Sequence, residues 1–241
     1  MGQVKPLDNG VPKPVHRDLE GEHIEELQPP TNPSKSGHGA EVVGLITALC
    51  DAPIQYYNVW TEEGLSMSAF KAALAQVAQS SASIVNLAIG IEEDFNPQDR
   101  QDITQAIEQL IAARKFVVAA VGETGKPQAA FPASITGVVA VGAVNAHDRP
   151  IKFSNGGAKI AAPGESIKVL QDEDGYRLQD GSSYAAASVS AAIWLALLNE
   201  STANQARMLQ LLTESARPPK GPNSAKVGLG QIDLEMLANH F

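Results

Sequence analysis

Ser183 is the residue whose type and setting point most directly to chemistry in this chain. It follows the turn Asp180-Gly181-Ser182 and begins a long, alanine-rich apolar stretch, which predicts a buried helix over 183–199. The first N–H groups of a helix have no intrahelical acceptor and carry partial positive charge. A serine there can present its hydroxyl to a substrate while its own N–H faces a developing oxyanion. It can also simply cap the helix, so other residues must decide between the two roles.

A serine nucleophile needs a base, and His38 is the candidate for it. Of the five histidines, only His38 opens an apolar helical stretch with a glycine on each side. Glycines in such a turn allow other chain segments to approach closely. A helix-capping turn has the same local pattern. His38 and Ser183 therefore indicate a catalytic site only when they are considered together.

The composition limits the classes of function. The chain has 241 residues, 44% of them apolar, which suits a single domain with one good core. A net charge of −9 argues against a nucleic-acid partner. The apolar runs are expected to be too short for a membrane helix, and no signal-peptide core is present, so a cytoplasmic protein without a membrane partner is predicted. The single cysteine, Cys50, excludes an internal disulfide and is expected to be a small core residue.

Strand and helix patterns alternate along the chain. The predicted strands cover 54–60, 84–89, 116–121 and 138–144, and the predicted helices cover 39–50, 66–80, 98–114, 183–199, 203–214 and 232–240. Unbroken apolar strands separated by helices predict an α/β fold of three layers, with a mostly parallel central sheet and helices on both faces.

One domain is expected over 1–241. Residues 1–36 form a short strand and a polar, proline-rich loop in this prediction, and 215–241 form a C-terminal closing segment. In a parallel sheet the functional residues lie at the carboxyl ends of the strands. The residues at predicted strand ends or helix starts are Asp8, His38, Gly90, Glu123 and Ser183.

Four ordered blocks resemble the subtilisin-like serine proteases, the subtilases, over nearly the full length. The first block covers 4–11 and 15–19, and the second covers 38–44, His-Gly-Ala-Glu-Val-Val-Gly. The third covers 85–90 and 117–123. The fourth covers 131–133, 139–144, 153–156 and 161–164, and it ends at 181–185, Gly-Ser-Ser-Tyr-Ala. The chain order Asp, His, Ser is the subtilisin order. The resemblance therefore implies a subtilisin-like fold.

The resemblance also implies catalytic roles. Ser183 would be the nucleophile, His38 the general base and then acid, and Asp8 the carboxylate that fixes the imidazole. The Ser183 N–H would bind the oxyanion, in a region shared with Gly122 and Ser182.

A second set of residues would bind the substrate. The segment Ala88-Ile89-Gly90 would pair with an extended peptide by adding it to the sheet. Ala130, Phe131 and Pro132 would wall the primary specificity pocket together with 121–124. The Phe131-Pro132 bond matches a place where the family often has a cis proline.

Glu123 departs from the family pattern, because subtilases have an oxyanion-binding asparagine there. Asparagine donates a hydrogen bond, whereas an ionised glutamate only accepts. Three alternatives follow: a protonated Glu123 donates, Glu123 points into the specificity pocket and selects a basic side chain, or it turns to solvent while another group donates.

The carboxylate of the triad is the second place where the sequence departs from the family pattern. Pro6 precedes Asp8 in a central strand and has no N–H for the sheet, so Asp18 is an alternative carboxylate. The acidic groups 92–94 and 172–174 lack calcium-loop spacing and are expected to be solvated. No cofactor and no zinc site are predicted, and the sequence leaves calcium binding open. The oligomeric state is not indicated.

These residues favour a compact intracellular serine endopeptidase that carries out limited processing of a peptide or protein substrate. The alternative is a catalytically impaired subtilase fold that binds an extended peptide or partner protein, which Glu123 and Pro6 motivate. A different α/β serine hydrolase would need a Gly-x-Ser-x-Gly elbow, and the sequence contains none.

Overall fold

The structure is a computed structural model that describes residues 3–8, 17–19, 24–26, 37–92, 96–171 and 174–241. Its helices are α1 (His38–Leu49), α2 (Met67–Gln79), α3 (Pro97–Ala112), α4 (Ser182–Asn199), α5 (Gln205–Glu214) and α6 (Leu234–Ala238). Its strands are β1 (Val4–Asp8), β2 (Ile24–Glu26), β3 (Ile54–Asn58), β4 (Trp60–Thr61), β5 (Gly64–Leu65), β6 (Ile84–Leu87), β7 (Phe116–Ala120), β8 (Val139–Val144), β9 (Ile160–Pro163), β10 (Ile167–Gln171), β11 (Gly175–Gln179), β12 (Ala216–Arg217) and β13 (Gln231–Ile232).

A mostly parallel sheet forms the centre of the fold. Within the described residues it has nine strands in the order β12-β13-β9-β8-β7-β6-β1-β3-β2, and only the β12–β13 pair is antiparallel. Helices α1 and α4 pack on one face, and α2 and α3 pack on the other. The predicted three-layer α/β architecture is confirmed.

The central strands are buried on both faces, which explains why their sequences are apolar except for Asn86 of β6. Every residue of β6, β7 and β8 is buried. Their side chains alternate between two cores, so neither face can carry a polar row. Burial of this apolar area is the main favourable term that holds the three layers together.

Helix α4 is the most apolar helix and passes through the core. With 18 residues and a mean hydropathy of 1.2, it reaches the length and apolarity of a membrane span, contrary to the expectation that no apolar run does so. However, 72% of it is buried inside the protein, where it packs against α1 and against strands β6 to β9. Its apolar surface is therefore used in the core, and its first turn lies at the edge of the sheet.

Local capping residues set two of the helix starts. Ser66 begins α2 as predicted, because its hydroxyl accepts from the Ala69 N–H at 3.3 Å. Helix α3 begins one residue earlier than predicted, at Pro97. Asn96 caps it by accepting from the Gln98 N–H at 2.8 Å, and proline is favoured in the first turn, where its missing N–H costs nothing.

The structure differs from the sequence prediction at the edges of the sheet. Strand β2 lies inside the segment that was expected to be loop, where it pairs with β3. The predicted helix over 232–240 is shorter, because Gln231 and Ile232 extend the sheet and Asp233 caps α6 by accepting from two N–H groups. The hairpin β10–β11 is a separate two-stranded sheet that packs on α1.

Asp148 connects the turn after β8 to the C-terminal segment. Lys220 Nζ lies 2.6 Å from Asp148 Oδ2, and Arg217 Nη2 lies 3.2 Å from Asp148 Oδ1. The hydrogen bond from Lys220 and the charge of Arg217 hold the pKa of this carboxyl below its usual range. The ion-paired carboxylate therefore stabilises the fold only while it is ionised.

The variant Asp148→Asn is expected to lower the free energy of unfolding by about 2 kcal/mol at pH 7, since hydrogen bonds to a charged group are lost. The folded pKa lies below the unfolded value of about 3.9, so this contribution is complete above pH ~4 and is lost as the pH falls through the folded pKa. Urea unfolding at pH 7 and pH 3 measures it. Glu108→Gln, which removes an exposed carboxylate of α3, is the control. Equal stability of the Asp148→Asn and Glu108→Gln variants at pH 7 would contradict the assignment.

Candidate active site

The starts of α1 and α4 lie side by side at one edge of the sheet. His38 is the first residue of α1, and Ser183 is the second residue of α4. The imidazole of His38 contacts the ring of Tyr184, with centroids 5.6 Å apart and planes tilted by 55°. Since Tyr184 directly follows Ser183, the fold brings the predicted base and nucleophile into one region. Ser183 is 8% exposed, so its hydroxyl lies at the surface of the core.

Asp8 ends the central strand β1. Its backbone is paired with Asn58 of β3, and Pro6 is in register with Asn86 of β6, so the proline does not remove β1 from the sheet. The side chains of Asp8 and Pro6 lie outside the described part of the structure, and the triad role of Asp8 stays a prediction. The alternative carboxylate, Asp18, accepts a hydrogen bond from the Tyr176 hydroxyl at 2.5 Å.

Glu123 binds the first residue of α4. Its Oε1 accepts hydrogen bonds from the Ser182 N–H and from the Ser182 hydroxyl, both at 2.6 Å. The Ser182 Oγ in turn accepts from the Gly122 N–H at 3.2 Å. A carboxylate is stabilised at a helix N-terminus, where the free N–H groups and the helix dipole attract negative charge. The Glu123 side chain is exposed, and its Oε1 caps the start of the helix that carries Ser183.

This cap changes what the oxyanion region can donate. The Ser182 hydroxyl donates to Glu123, and an ionised Glu123 only accepts. The Ser183 N–H belongs to the first turn of α4, where no intrahelical acceptor exists. It is thus a donor that is available to an oxyanion beside Ser183.

Gly164 fixes the turn that precedes the two serines. The Gly181 N–H donates to the Gly164 carbonyl at 2.8 Å. A Cβ added at Gly164 would lie 2.5 Å from the Ala143 Cβ and 2.7 Å from the Gly181 carbonyl oxygen, which is closer than any side chain can approach. The motif Ala-Ala-Pro-Gly therefore supports the nucleophile turn by close backbone packing.

The predicted substrate-binding residues lie in adjoining segments beside this turn. Ala88 and Ile89 follow β6, and Ile91 is bridged to Phe131, with the Ile91 N–H donating to the Phe131 carbonyl at 2.7 Å. The Phe131-Pro132 bond is cis, as expected from the resemblance. We call these three segments, 88–92, 121–126 and 130–132, the pocket cleft, because the resemblance places the primary specificity pocket between them.

The walls of the pocket cleft are close together. A Cβ added at Gly90 would lie 3.3 Å from the Gly122 Cα and 3.6 Å from the Ala130 Cβ. Gly122 has a φ of +94°, a conformation that side chains strongly disfavour. Gly122 is thus required by its backbone conformation and its close contacts, whereas a side chain at Gly90 would push the two walls apart only slightly.

Asn155 organises one wall and was not singled out from the sequence. It is fully buried, and its Oδ1 accepts from the N–H groups of Thr124 and Lys126 at 3.1 and 2.9 Å. Its Nδ2 donates to the Val121 carbonyl at 2.9 Å and to Glu92 Oε1 at 2.6 Å. The Ser-Asn-Gly turn is a local signal for such backbone bonding, but it does not reveal the partners.

Glu41 is a second residue that sequence reasoning missed. It lies one turn after His38 and is 1% exposed. The Tyr184 hydroxyl donates to Glu41 Oε2 at 2.5 Å, and Arg177 of β11 forms an ion pair with Oε1. A buried carboxylate is tolerated only when it is paired and hydrogen-bonded. This network connects the starts of α1 and α4. The sequence feature that could have revealed it is a charged residue within an otherwise apolar helix.

The described residues contain no group of three or more His, Cys, Asp or Glu side chains placed to hold a metal ion. Of the two acidic groups, Glu92 is not solvated as expected but binds Asn155 and Lys126, and Asp174 lies 3.5 Å from Arg17. Cys50 lies at the end of α1, where burial raises the pKa of its thiol. A raised pKa disfavours the thiolate, in keeping with a structural role.

A serine and a histidine at adjacent helix starts, beside a cleft at the carboxyl edge of a parallel sheet, define a serine-hydrolase class of site. The sequence pattern of the Subtilase family matches residues 7–230, and the chain belongs to that family, whose members include serine endopeptidases. The suspected family and enzyme class are thereby confirmed, and the chain is a subtilisin-like protease.

Individual relatives agree with this assignment. Subtilisin DY of Bacillus licheniformis is 26% identical over 224 residues, which cover 86% of this chain and 79% of that protein. Among solved structures, the prenylagaramide maturation protease PagA superposes with a TM-score of 0.84 at 22% identity, covering 99% of this chain and 93% of that one. The patellamide maturation protease PatA superposes with a TM-score of 0.81 at 23% identity, covering 98% and 95%. At these identities the two superpositions establish the fold.

Proposed function

We propose that the protein is a serine endopeptidase for limited processing of a peptide or protein substrate, with Ser183, His38 and Asp8 as its triad. The observation that carries the proposal is the meeting of the two helix starts, where the His38 ring contacts the residue directly after Ser183. The backbone of Asp8 ends the central strand, at the edge of the sheet where catalytic groups collect.

In the proposed reaction, the Ser183 Oγ attacks the scissile carbonyl while His38 takes its proton. The carbonyl oxygen becomes an oxyanion that accepts from the Ser183 N–H at the positive end of α4. His38 then returns the proton to the leaving amine, the peptide bond breaks, and water releases the acyl group by the same steps.

A processing role is supported by the fold neighbours, two of which are named as maturation proteases. An extended substrate would pair with the backbone of 88–90, which continues beyond the end of β6. The acidic composition and single cysteine support a cytoplasmic setting.

The second candidate is a catalytically impaired fold that binds an extended peptide. The observation that favours it is the Glu123 carboxylate on Ser182, directly before the nucleophile. A full negative charge beside a developing oxyanion raises the barrier to its formation.

Labelling with a fluorophosphonate distinguishes the two candidates. We expect one adduct on the native protein, and peptide mass spectrometry should place it on Ser183. The His38→Ala variant should lose the adduct, because the hydroxyl is no longer activated, whereas Ser188→Ala, on the same helix, should keep it. A folded protein that forms no adduct, yet binds an extended peptide, would instead support the second candidate.

A further inference from the structure

We propose that Glu92 makes the primary pocket select a basic side chain, lysine or arginine, at the residue whose carbonyl is cleaved (P1). This inference rests on the proposed function, since it concerns the substrate of the same cleft. Neither the resemblance nor the relatives supply it, because it depends on contacts between Glu92, Asn155 and Lys126 in this chain.

The carboxylate of Glu92 lies inside the pocket cleft. A Cβ added at Gly122 would overlap Glu92 Oε1 and would lie 3.0 Å from the Ala130 Cβ. The charged group therefore stands directly over the Gly122 Cα, between the two walls and close to the alanine that precedes Phe131. A side chain that enters between these walls must meet this carboxylate.

One oxygen of Glu92 is held rigidly. Its Oε1 accepts from Asn155 Nδ2 at 2.6 Å, and the other hydrogen-bonding positions of that amide are used by the backbone of 121–126. Asn155 is fully buried, so its amide cannot rotate away without losing all of these bonds. The carboxylate is thereby presented in one fixed orientation, which is what a specificity group needs.

The other oxygen of Glu92 carries an exchangeable cation. Lys126 Nζ lies 3.2 Å from Glu92 Oε2 and 3.1 Å from the Glu92 carbonyl oxygen. The Lys126 side chain is 52% exposed, whereas that of Glu92 is 18% exposed. Exposed ion pairs are weak, so Lys126 can swing into solvent at little cost. The Lys126 ammonium thus occupies the position that a substrate cation would take.

The Glu92 carboxylate needs a positively charged partner, and this need favours a basic P1 side chain. An incoming lysine or arginine replaces Lys126 one for one, and the carboxylate stays paired. A neutral side chain that displaces Lys126 would leave Glu92 desolvated without a counter-charge, which is strongly unfavourable. An acidic side chain would have to compete with Glu92 for Asn155 and Lys126, close to the second carboxylate of Glu123 on Ser182.

The test uses the full-length Ser183→Ala protein, so that binding is measured without cleavage. The probes are three extended peptides that share an Ala/Leu sequence and differ at one position: arginine, its neutral isostere citrulline, or glutamate. By titration calorimetry, arginine should bind at least ~10-fold more tightly than citrulline, since a charged hydrogen bond is lost. Adding Glu92→Gln should reduce this ratio to within about twofold, whereas adding Glu108→Gln should preserve it.

The comparison of arginine with citrulline needs no variant at position 92, so it remains decisive if Glu92→Gln fails to fold. Equal binding of the two peptides, tighter binding of the glutamate peptide, or no measurable binding of the arginine peptide to folded protein overturns the proposal. A preference for arginine that survives Glu92→Gln also overturns it. If the wild-type protein forms no fluorophosphonate adduct but arginine is still preferred, the proposed catalysis fails and the specificity of the pocket stands.

Discussion

Replacing Ser183 by alanine is expected to abolish peptide hydrolysis, lowering kcat by at least about 10⁴-fold. Loss of the nucleophile in subtilisin costs about 2 × 10⁶ in kcat, because the His and Asp of the triad act only through the serine. The expected effect is smaller here, since Glu123 stands where a second oxyanion donor would raise the wild-type rate. Hydrolysis of a fluorogenic peptide with arginine at P1, compared at equal concentrations of folded protein, measures the loss.

Peptide binding should change by less than about twofold in the Ser183→Ala variant, because only one oxygen atom is removed from the cleft wall. Ser188→Ala is the matched control on α4 and should retain the wild-type kcat. A Ser183→Ala protein with more than a tenth of the wild-type activity would assign the nucleophile to another residue.

The sheet could be predicted from the sequence where its strands are buried on both faces. Strands β7 and β8 consist of apolar residues and glycine, and β6 is interrupted only by the buried Asn86, which is the pattern of strands covered on both faces. Strand β2, by contrast, reads Ile-Glu-Glu, with two charged residues in three. It exists because it pairs with β3 at the edge of the sheet, and this long-range pairing leaves no local periodicity.

The same distinction applies to the candidate site. His38 and Ser183 begin helices, and helix starts are encoded locally by glycine turns and apolar runs, so both could be located from the sequence. Glu92 and Asn155 are 63 residues apart in the chain, and Glu41 and Arg177 are 136 apart. No local pattern encodes such contacts. The sequence marked Glu123 as unusual, but its partner, Ser182, depends on how β7 and α4 meet in space.

Replacing Glu123 by asparagine is expected to raise kcat by about 10²-fold. The change removes the negative charge beside Ser183 and introduces an N–H donor at a position where loss of one such donor costs about 10²–10³ in kcat. KM should change little, because the donor acts on the oxyanion and not on the bound substrate. Single-turnover hydrolysis of the arginine peptide measures the acylation step. Loss of activity in Glu123→Asn would show that the carboxylate has a positive catalytic role.

The gain has two physical components that further variants separate. Glu123→Ala removes the charge without adding a donor, so it should recover only the part caused by repulsion, and the difference between alanine and asparagine measures the new hydrogen bond. Both variants lose the cap on Ser182, which should lower the free energy of unfolding by roughly 0.5–1 kcal/mol. Ser183→Ala should remove more activity from Glu123→Asn than from the wild type, since a second donor helps only when a serine-bound oxyanion forms. Equal activity of Glu123→Ala and Glu123→Asn would instead mean that an amide at position 123 does not reach the oxyanion.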